Sequence, residues 1–278
     1  MNLTLESANQ QVVADRRQEH LLELRSVSKH FEASTRSNST RCVLDEVTFN
    51  LSEGEIVSII GPSGCGKSTL LNLISGLDEA FTGEISYSAT SGSRLGHISY
   101  MQQKDLLLPW RSVLNNAALS LELRGANREE SLARAFRRLG EFGLTDHADD
   151  YPAQLSGGMR QRVALLRATL ADTPLLLLDE PFGALDALTR SEMHSWLIGL
   201  LANSGKAVVL VTHDVDEAIL LSDRVYVMRS DPGRIASEFN VEIGERLDRG
   251  VVTSEAFTTL KATLLAALRS DNDSGEAQ

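Results

Sequence analysis

Residues 61–69, GPSGCGKST, constrain the fold of this chain more than any other stretch. They fit G-x-x-x-x-G-K-[ST], with Gly61, Gly66, Lys67 and Ser68 at the fixed places. Backbone N–H groups can surround a polyphosphate only where no Cβ blocks the approach, and Gly61, Gly64 and Gly66 supply that clearance. Lys67 adds a point charge that can reach β and γ phosphates, and the Ser68 hydroxyl is placed to hold Mg²⁺. EIVSII (residues 55–60) reads as a buried strand and TLLNLISGL (69–77) as an apolar helix start, so the phosphates would meet the positive end of a helix. A Gly-rich turn arising by chance lacks such flanks. The stretch implies a bound nucleoside triphosphate and a core of the α/β class.

Whatever the triphosphate drives, the rest of the chain limits the options. A formal charge of −11 argues against a nucleic-acid surface as the main partner. Two cysteines, Cys42 and Cys65, provide neither a disulfide framework nor a metal cluster and fit a reducing cytosol. No apolar run approaches the roughly 18 residues of a membrane-spanning helix, and MNLTLESANQ lacks the basic and apolar regions of a signal peptide. Any service to a membrane would come from outside the bilayer.

Residues 1–19 are polar and aperiodic and read as a flexible extension. Residues 20–31 and 42–51 read as two strands joined by the Ser/Thr/Asn-rich loop EASTRSNSTR (32–41). TGEISYSA and HISYMQQ are further short strands around Gly92. From Pro109 to about Leu170 the pattern turns helical. Residues 112–125 can start on Ser112 as cap and stop at Gly125. Residues 128–143 place Leu132, Ala135, Phe136 and Leu139 on one face, with acid early and base late to suit the helix dipole. Arg134, Arg137 and Arg138 read as the wet face of that helix in preference to a basic patch for nucleic acid. TPLLLLDEP (173–181) and AVVLVTHD (207–214) are continuous apolar runs, as expected of parallel strands buried on both faces with chemistry at their C-terminal ends. RVYVM and RIASEF flank a DPG turn, and residues 254–270 can form an amphipathic helix with Phe257, Leu260, Leu264 and Leu268 on one side, expected to pack on the parent domain, with docking to another chain as the lesser option.

LLLLDE completes a nucleotide site. Asp179 at the strand tip can hold the Mg²⁺ shell opposite Ser68, and Glu180 can polarise a water for in-line attack. LSGGMRQR (155–162) opens a helix with a small hydroxyl residue and two glycines, a second anion site made of Ser156, free N–H groups and a helix dipole. Taken alone, it is equally a Ser-capped helix start. One phosphate loop covers a nucleotide from one side, so the second site suggests another copy of the chain across an interface.

Together with GALD (183–186) and Thr212–His213, these motifs, in this order, resemble the nucleotide-binding subunit of an ATP-binding cassette transporter over roughly residues 21–238. The resemblance implies a P-loop NTPase, RecA-like core with an antiparallel β subdomain and a helical subdomain. It divides the chain into an extension (1–19), an ATP-binding domain (20–240, helical part about 105–170) and a helical tail (241–278). It implies that Gly61, Pro62, Ser63, Gly64, Cys65, Gly66, Lys67, Ser68 and Thr69 contact ATP and that Phe31 stacks on adenine, against the plainer role of a core aromatic. Ser156, Gly157 and Gly158 of one copy would cap nucleotide held by the other. Glu180 carries over as general base, His213 as the γ-phosphate sensor, Asp186 as part of the loop linking the two sites. YMQQKDLLLPW corresponds to the loop that joins the subdomains and meets Mg²⁺ through a glutamine, with Gln103 the better match and Gln102 the runner-up. That loop and the following helices would receive a short helix from a membrane permease, itself fed by a solute-binding protein, with the chain at the cytoplasmic face of the membrane. LLLPW, GALDALTR and PGRI resemble importers of nitrate, taurine and other sulfonates, with carriers of the thiamine pyrimidine precursor close behind. An exporter subunit and a soluble cassette ATPase acting on ribosomes or DNA are the rivals. The position of Cys65 at a helix N-terminus leads to an expectation of an acidic thiol that ATP shields from alkylation.

Overall fold

The computed structural model describes residues 20–32, 40–183, 187–202, 204–246 and 250–269. Two sheets carry the strands. β1 (Leu22–Glu32), β2 (Thr40–Leu51) and β4 (Thr82–Tyr87) form an antiparallel sheet in the order β2-β1-β4. β3 (Ile56–Ile60), β5 (Ser99–Met101), β6 (Leu175–Asp179), β7 (Ala207–Thr212), β8 (Arg224–Arg229) and β9 (Arg234–Asn240) form the second, in the order β5-β6-β7-β3-β8-β9. All neighbours in it are parallel except β8 and β9.

The apolar runs in β6 and β7 are explained by what each face meets. Successive side chains of a strand point to opposite faces. Leu176, Leu178, Val208 and Leu210 enter a cluster with the helices α2 (Val113–Leu123), α3 (Arg128–Leu139), α4 (Gly157–Leu170) and α5 (Ala187–Ala202). Leu175, Leu177, Val209 and Val211 enter the opposite cluster, with the antiparallel sheet and α1 (Lys67–Ser75). A third cluster joins Ile60, Val225 and Val227 to α6 (Val215–Leu221) and α7 (Glu255–Arg269) through Ala218, Ile219, Phe257 and Leu264. The last helix is therefore part of the packed body, with Leu260 and Leu268 half-buried beside its two buried residues, as its pattern predicts. Arg224 ties the two sheets together, bonding Glu55 at 2.6 Å and the Asn50 carbonyl at 2.8 Å.

Ser112 caps α2 and Asn127 caps α3, accepting from Asn115 N and Glu130 N. α1 stops at Gly76, whose φ of 77° is the left-handed conformation of a helix C-terminus. One expectation fails in α3. The helix ends at Leu139 and is followed by a 3₁₀ turn, Gly140–Phe142. Its buried line is Ser131, Ala135 and Leu139, four residues apart each time, which leaves Phe136 about 100° away and 54% exposed. Phe142 takes the core place instead, edge-on to Trp196 at 4.9 Å.

Candidate nucleotide site at the strand ends

The loop of residues 61–69 leaves the buried end of β3 and enters α1 at Lys67, with Gly66 as N-cap at φ 100° and no capping side chain. The first N–H groups of α1 thus lack a side-chain partner at the cap, the condition for receiving an anion. The glycines are sterically required. A Cβ on Gly66 would lie 2.7 Å from Leu44, and one on Gly61 would lie 2.5 Å from the Met228 carbonyl. The Lys67 ammonium is buried and donates to the carbonyls of Gly61 at 2.8 Å and Pro62 at 2.9 Å. Support from below comes from the β8–β9 turn. Gly233 N donates to Val43 O, Asp45 N donates to Gly233 O, and a Cβ on Gly233 would meet the Cys65 carbonyl. Cys65 is 1% exposed, and burial pushes its thiol up against the opposing pull of Lys67. The expected acidic thiol is therefore wrong, because desolvation outweighs the adjacent cation.

β6 delivers Asp179 to the same end. Its carboxyl is buried, hydrogen-bonded by the Ser68 hydroxyl and approached by the Tyr100 hydroxyl at 3.4 Å. Burial raises the carboxyl above its ordinary range, while Ser68, Tyr100 and Lys67 pull it down. A buried carboxylate joined to a hydroxyl is an oxygen donor pair that suits a hard divalent cation. Glu180, one residue on, has φ 47°, a strained conformation for a non-glycine residue, held by its N–H bonding Val211 O at 2.8 Å. The turn aims its carboxylate at two groups from other segments. Gln103 Nε2 donates to Oε2 at 3.0 Å, and His213 Nδ1 lies 3.4 Å from Oε1. Gly183 backs the carboxylate closely, since a Cβ there would lie 3.4 Å from Oε2.

Ser156 caps α4 by accepting from Met159 N, and Gly157 and Gly158 follow, half-exposed. Among the described residues no hydrogen bond joins residues 155–160 to the loop at 61–69; Arg160 reaches instead to Asp105 at 3.1 Å and the Leu155 carbonyl at 2.8 Å. Phe31 is 44% exposed at the end of β1, with the Lys29 ammonium 4.8 Å from its ring, so it is no core aromatic. Gln103 rather than Gln102 touches Glu180. Asp186 lies outside the described residues. Sequence reasoning missed Tyr100, Gly233 and Leu44, whose roles arise from strand pairings far apart in the chain.

A family model described as ABC transporter matches residues 44–183. The formylaminopyrimidine import ATP-binding protein ThiZ of Halalkalibacterium halodurans is 41% identical over 238 residues, covering 86% of this chain and 93% of the relative. The taurine import ATP-binding protein TauB of Rhizobium johnstonii is 39% identical over 246 residues, covering 86% and 94%. The aliphatic sulfonates import ATP-binding protein SsuB 2 of Agrobacterium fabrum is 46% identical over 225 residues, covering 81% and 83%. Among solved structures, the dimeric bacterial ABC transporter cassette MJ0796 superposes with a TM-score of 0.70 at 34% identity, over 80% of this chain and 99% of that one. The same cassette has also been solved as a post-hydrolysis dimer bound to ADP and Pi.

Proposed function

This chain belongs to the ATP-binding subunits of ABC transporters, and we infer that it energises import of a small solute through a separate membrane permease. It hydrolyses ATP in doing so. The observation that carries the reading is the strand-end cluster in which Asp179 adjoins Ser68 and Glu180 stands between Gln103 and His213.

In this reading the phosphates of ATP lie over residues 61–69 and adenine stacks on Phe31. Lys67 turns its ammonium from the loop carbonyls to the β and γ phosphates. Ser68, Gln103 and Asp179 would hold Mg²⁺, which supplies charge neutralisation at the β and γ oxygens. Glu180 takes a proton from a water as its oxygen bonds to the γ-phosphorus. The bond from that phosphorus to the bridging oxygen breaks, leaving ADP and phosphate. His213 donates a hydrogen bond to a γ oxygen. Ser156, Gly157 and Gly158 of a second copy close over the γ-phosphate, and Asp186 lies in the loop that links the two sites of the sandwich.

A cavity of about 430 Å³ lies between residues 96–106 and helices α2 and α4, with Leu106 and Leu123 exposed at its wall. A short permease helix would dock there, and the permease would take solute from a binding protein. Residues 1–19 serve as an extension, 20–240 as the ATP-binding domain with its helical part at about 105–170, and 241–278 as a tail. Among the described residues no helix is long and apolar enough to cross a membrane. The likeness to import ATP-binding proteins supports a place at the cytoplasmic face of the membrane, held by the permease. A sulfonate, taurine, nitrate or related anion is the first expectation for the solute, because two of the relatives named above import taurine or aliphatic sulfonates. A formylaminopyrimidine is the second, from the likeness to ThiZ.

Solute uptake by a deletion strain, compared with efflux from preloaded cells, tests the import reading. Loss of uptake for one of these solutes, restored by the wild-type chain but not by Glu180→Gln, is expected. Normal uptake of all of them, with impaired efflux, would overturn it.

A further inference from the structure

Glu217 is 3% exposed in the first turn of α6, directly after the segment that carries His213. Asp214-x-x-Glu217 has the form of a capping box, in which the glutamate should reach back to the N-cap backbone N–H. The structure departs from that arrangement. The Asp214 N–H is taken by the Thr212 hydroxyl at 3.0 Å, and the Thr212 hydroxyl in turn donates to Glu217 Oε2 at 2.5 Å. Asp214 still caps the helix, accepting from Asp216 N and Glu217 N. The carboxyl of Glu217 is thus not spent on the cap. It holds the Thr212 side chain directly and, through the Thr212 hydroxyl, the Asp214 backbone N–H, so both neighbours of His213 hang on one relay. Its other oxygen, Oε1, has no hydrogen-bond partner among the described residues. A buried carboxyl with one oxygen unsatisfied is costly, and stability alone does not call for it here.

We propose that Glu217 is a positioning residue for ATP hydrolysis, setting the loop of residues 212–214 so that His213 stands against Glu180. This deepens the reading of the site given above and rests on it. His213 is half-exposed and lies 3.4 Å from Glu180, so its placement depends on the two residues beside it. Three charged groups act on Glu217: Asp214 on its own loop, Arg190 on α5, which pairs with Asp214 at 3.3 Å, and Glu180 across the loop. His194, on the same helix as Arg190, faces Asp214 and Asp216, and Asp216 pairs with Lys261 of α7. Burial pushes the Glu217 carboxyl up to about 7; the Thr212 bond lowers it, Asp214 raises it, Arg190 lowers it and Glu180 raises it. The group therefore changes charge within the working pH range, and the hold on His213 changes with it.

ATP turnover of the full-length chain tests this. Glu217→Ala and Thr212→Val should each lower kcat about ten- to a hundredfold, the scale of a small misplacement of a reacting group, with KM for ATP unchanged. The double variant should be no worse than either single one. Glu217→Gln keeps an acceptor for Thr212, so it should restore turnover while flattening the change in kcat between pH 6 and 8. Should Glu217→Ala refuse to fold, Thr212→Val and Glu217→Gln carry the test. An unchanged kcat in Thr212→Val, or a Glu217→Gln pH profile that superposes on wild type, would overturn the proposal. Glu180→Gln is run beside them. If that variant keeps full turnover, the fault lies with the general-base reading; if it is dead while the Glu217 and Thr212 variants are normal, the fault lies with Glu217.

Discussion

Lys67 is buried in its own loop with its charge set against two carbonyls, so the loop is a basket already shaped around a cation and rimmed by N–H groups. Each charge-assisted hydrogen bond to phosphate contributes roughly 1.5–3 kcal/mol. Lys67→Ala should therefore weaken ATP binding at least about tenfold, read by calorimetry, and retained wild-type affinity would refute the assignment. Glu180→Gln keeps the shape of the side chain and its contact with Gln103 while removing the base. ATP affinity should persist and steady-state turnover should fall by about 10²- to 10⁴-fold. Cys65 gives a contrasting forecast. Buried and with its thiol pushed up, it should alkylate far more slowly than half-buried Cys42 with or without ATP, as quantified by mass spectrometry. Motif residues such as these were legible because spacing alone brings them together: residues 61–69 are contiguous, and Asp179 and Glu180 end one strand. The acidity of Cys65 was misread because local sequence reports the helix N-terminus and says nothing of the β8–β9 turn that seals the loop from below.

Elements carry the next level of the argument. Asn116 in α2 is fully buried and holds the segment of residues 108–112. It accepts from Leu108 N at 2.8 Å and shares its amide protons among the carbonyls of Leu108, Arg111 and Ser112. Asn116→Ala strands these groups without water, at a cost of about 1–3 kcal/mol. A fall of several degrees in Tm is expected, and a Tm equal to wild type would count against it. α6 makes a pH-dependent forecast. A carboxyl raised from its usual 4.5 to about 7 stabilises the fold fully below 4.5, and that contribution is lost as pH rises through 7. Glu217→Gln removes the loss, so its Tm relative to wild type should rise between pH 5 and pH 8, by an amount corresponding to at most about 3 kcal/mol. Thermal melts at the two pH values decide it, and an unchanged difference would exclude the raised carboxyl. Most elements could be read in advance because β6 and β7 are apolar on both faces and α2, α3 and α4 carry their own caps. Phe136 and Glu217 could not. Periodicity leaves a face uncertain by one step of 100°, and a capping box does not reveal that Thr212 will intervene.

At the scale of the molecule, the two helix starts proposed to meet phosphate belong to different layers. α1 begins beneath the antiparallel sheet, and α4 begins among the helices packed on the other face of the parallel sheet. If both act on one γ-phosphate, as proposed, they do so across two copies, and nucleotide binding and copy–copy closure become separable steps. A single substitution can divide them. Ser156→Asp preserves the cap on α4, since aspartate serves Met159 N as well as serine does. It also places a negative charge where the partner's γ-phosphate would arrive. At 4 Å and an effective dielectric constant near 20, that repulsion is about 4 kcal/mol per pair of charges, and it stands where the serine hydroxyl would donate a hydrogen bond. In a Glu180→Gln background, ATP should drive the chain to a dimer on gel filtration. Adding Ser156→Asp should leave ATP affinity unchanged and hold the chain as a monomer. A dimer that persists in the double variant would mean that Ser156 faces no phosphate, and an affinity that falls with it would mean that the two helix starts serve one copy after all.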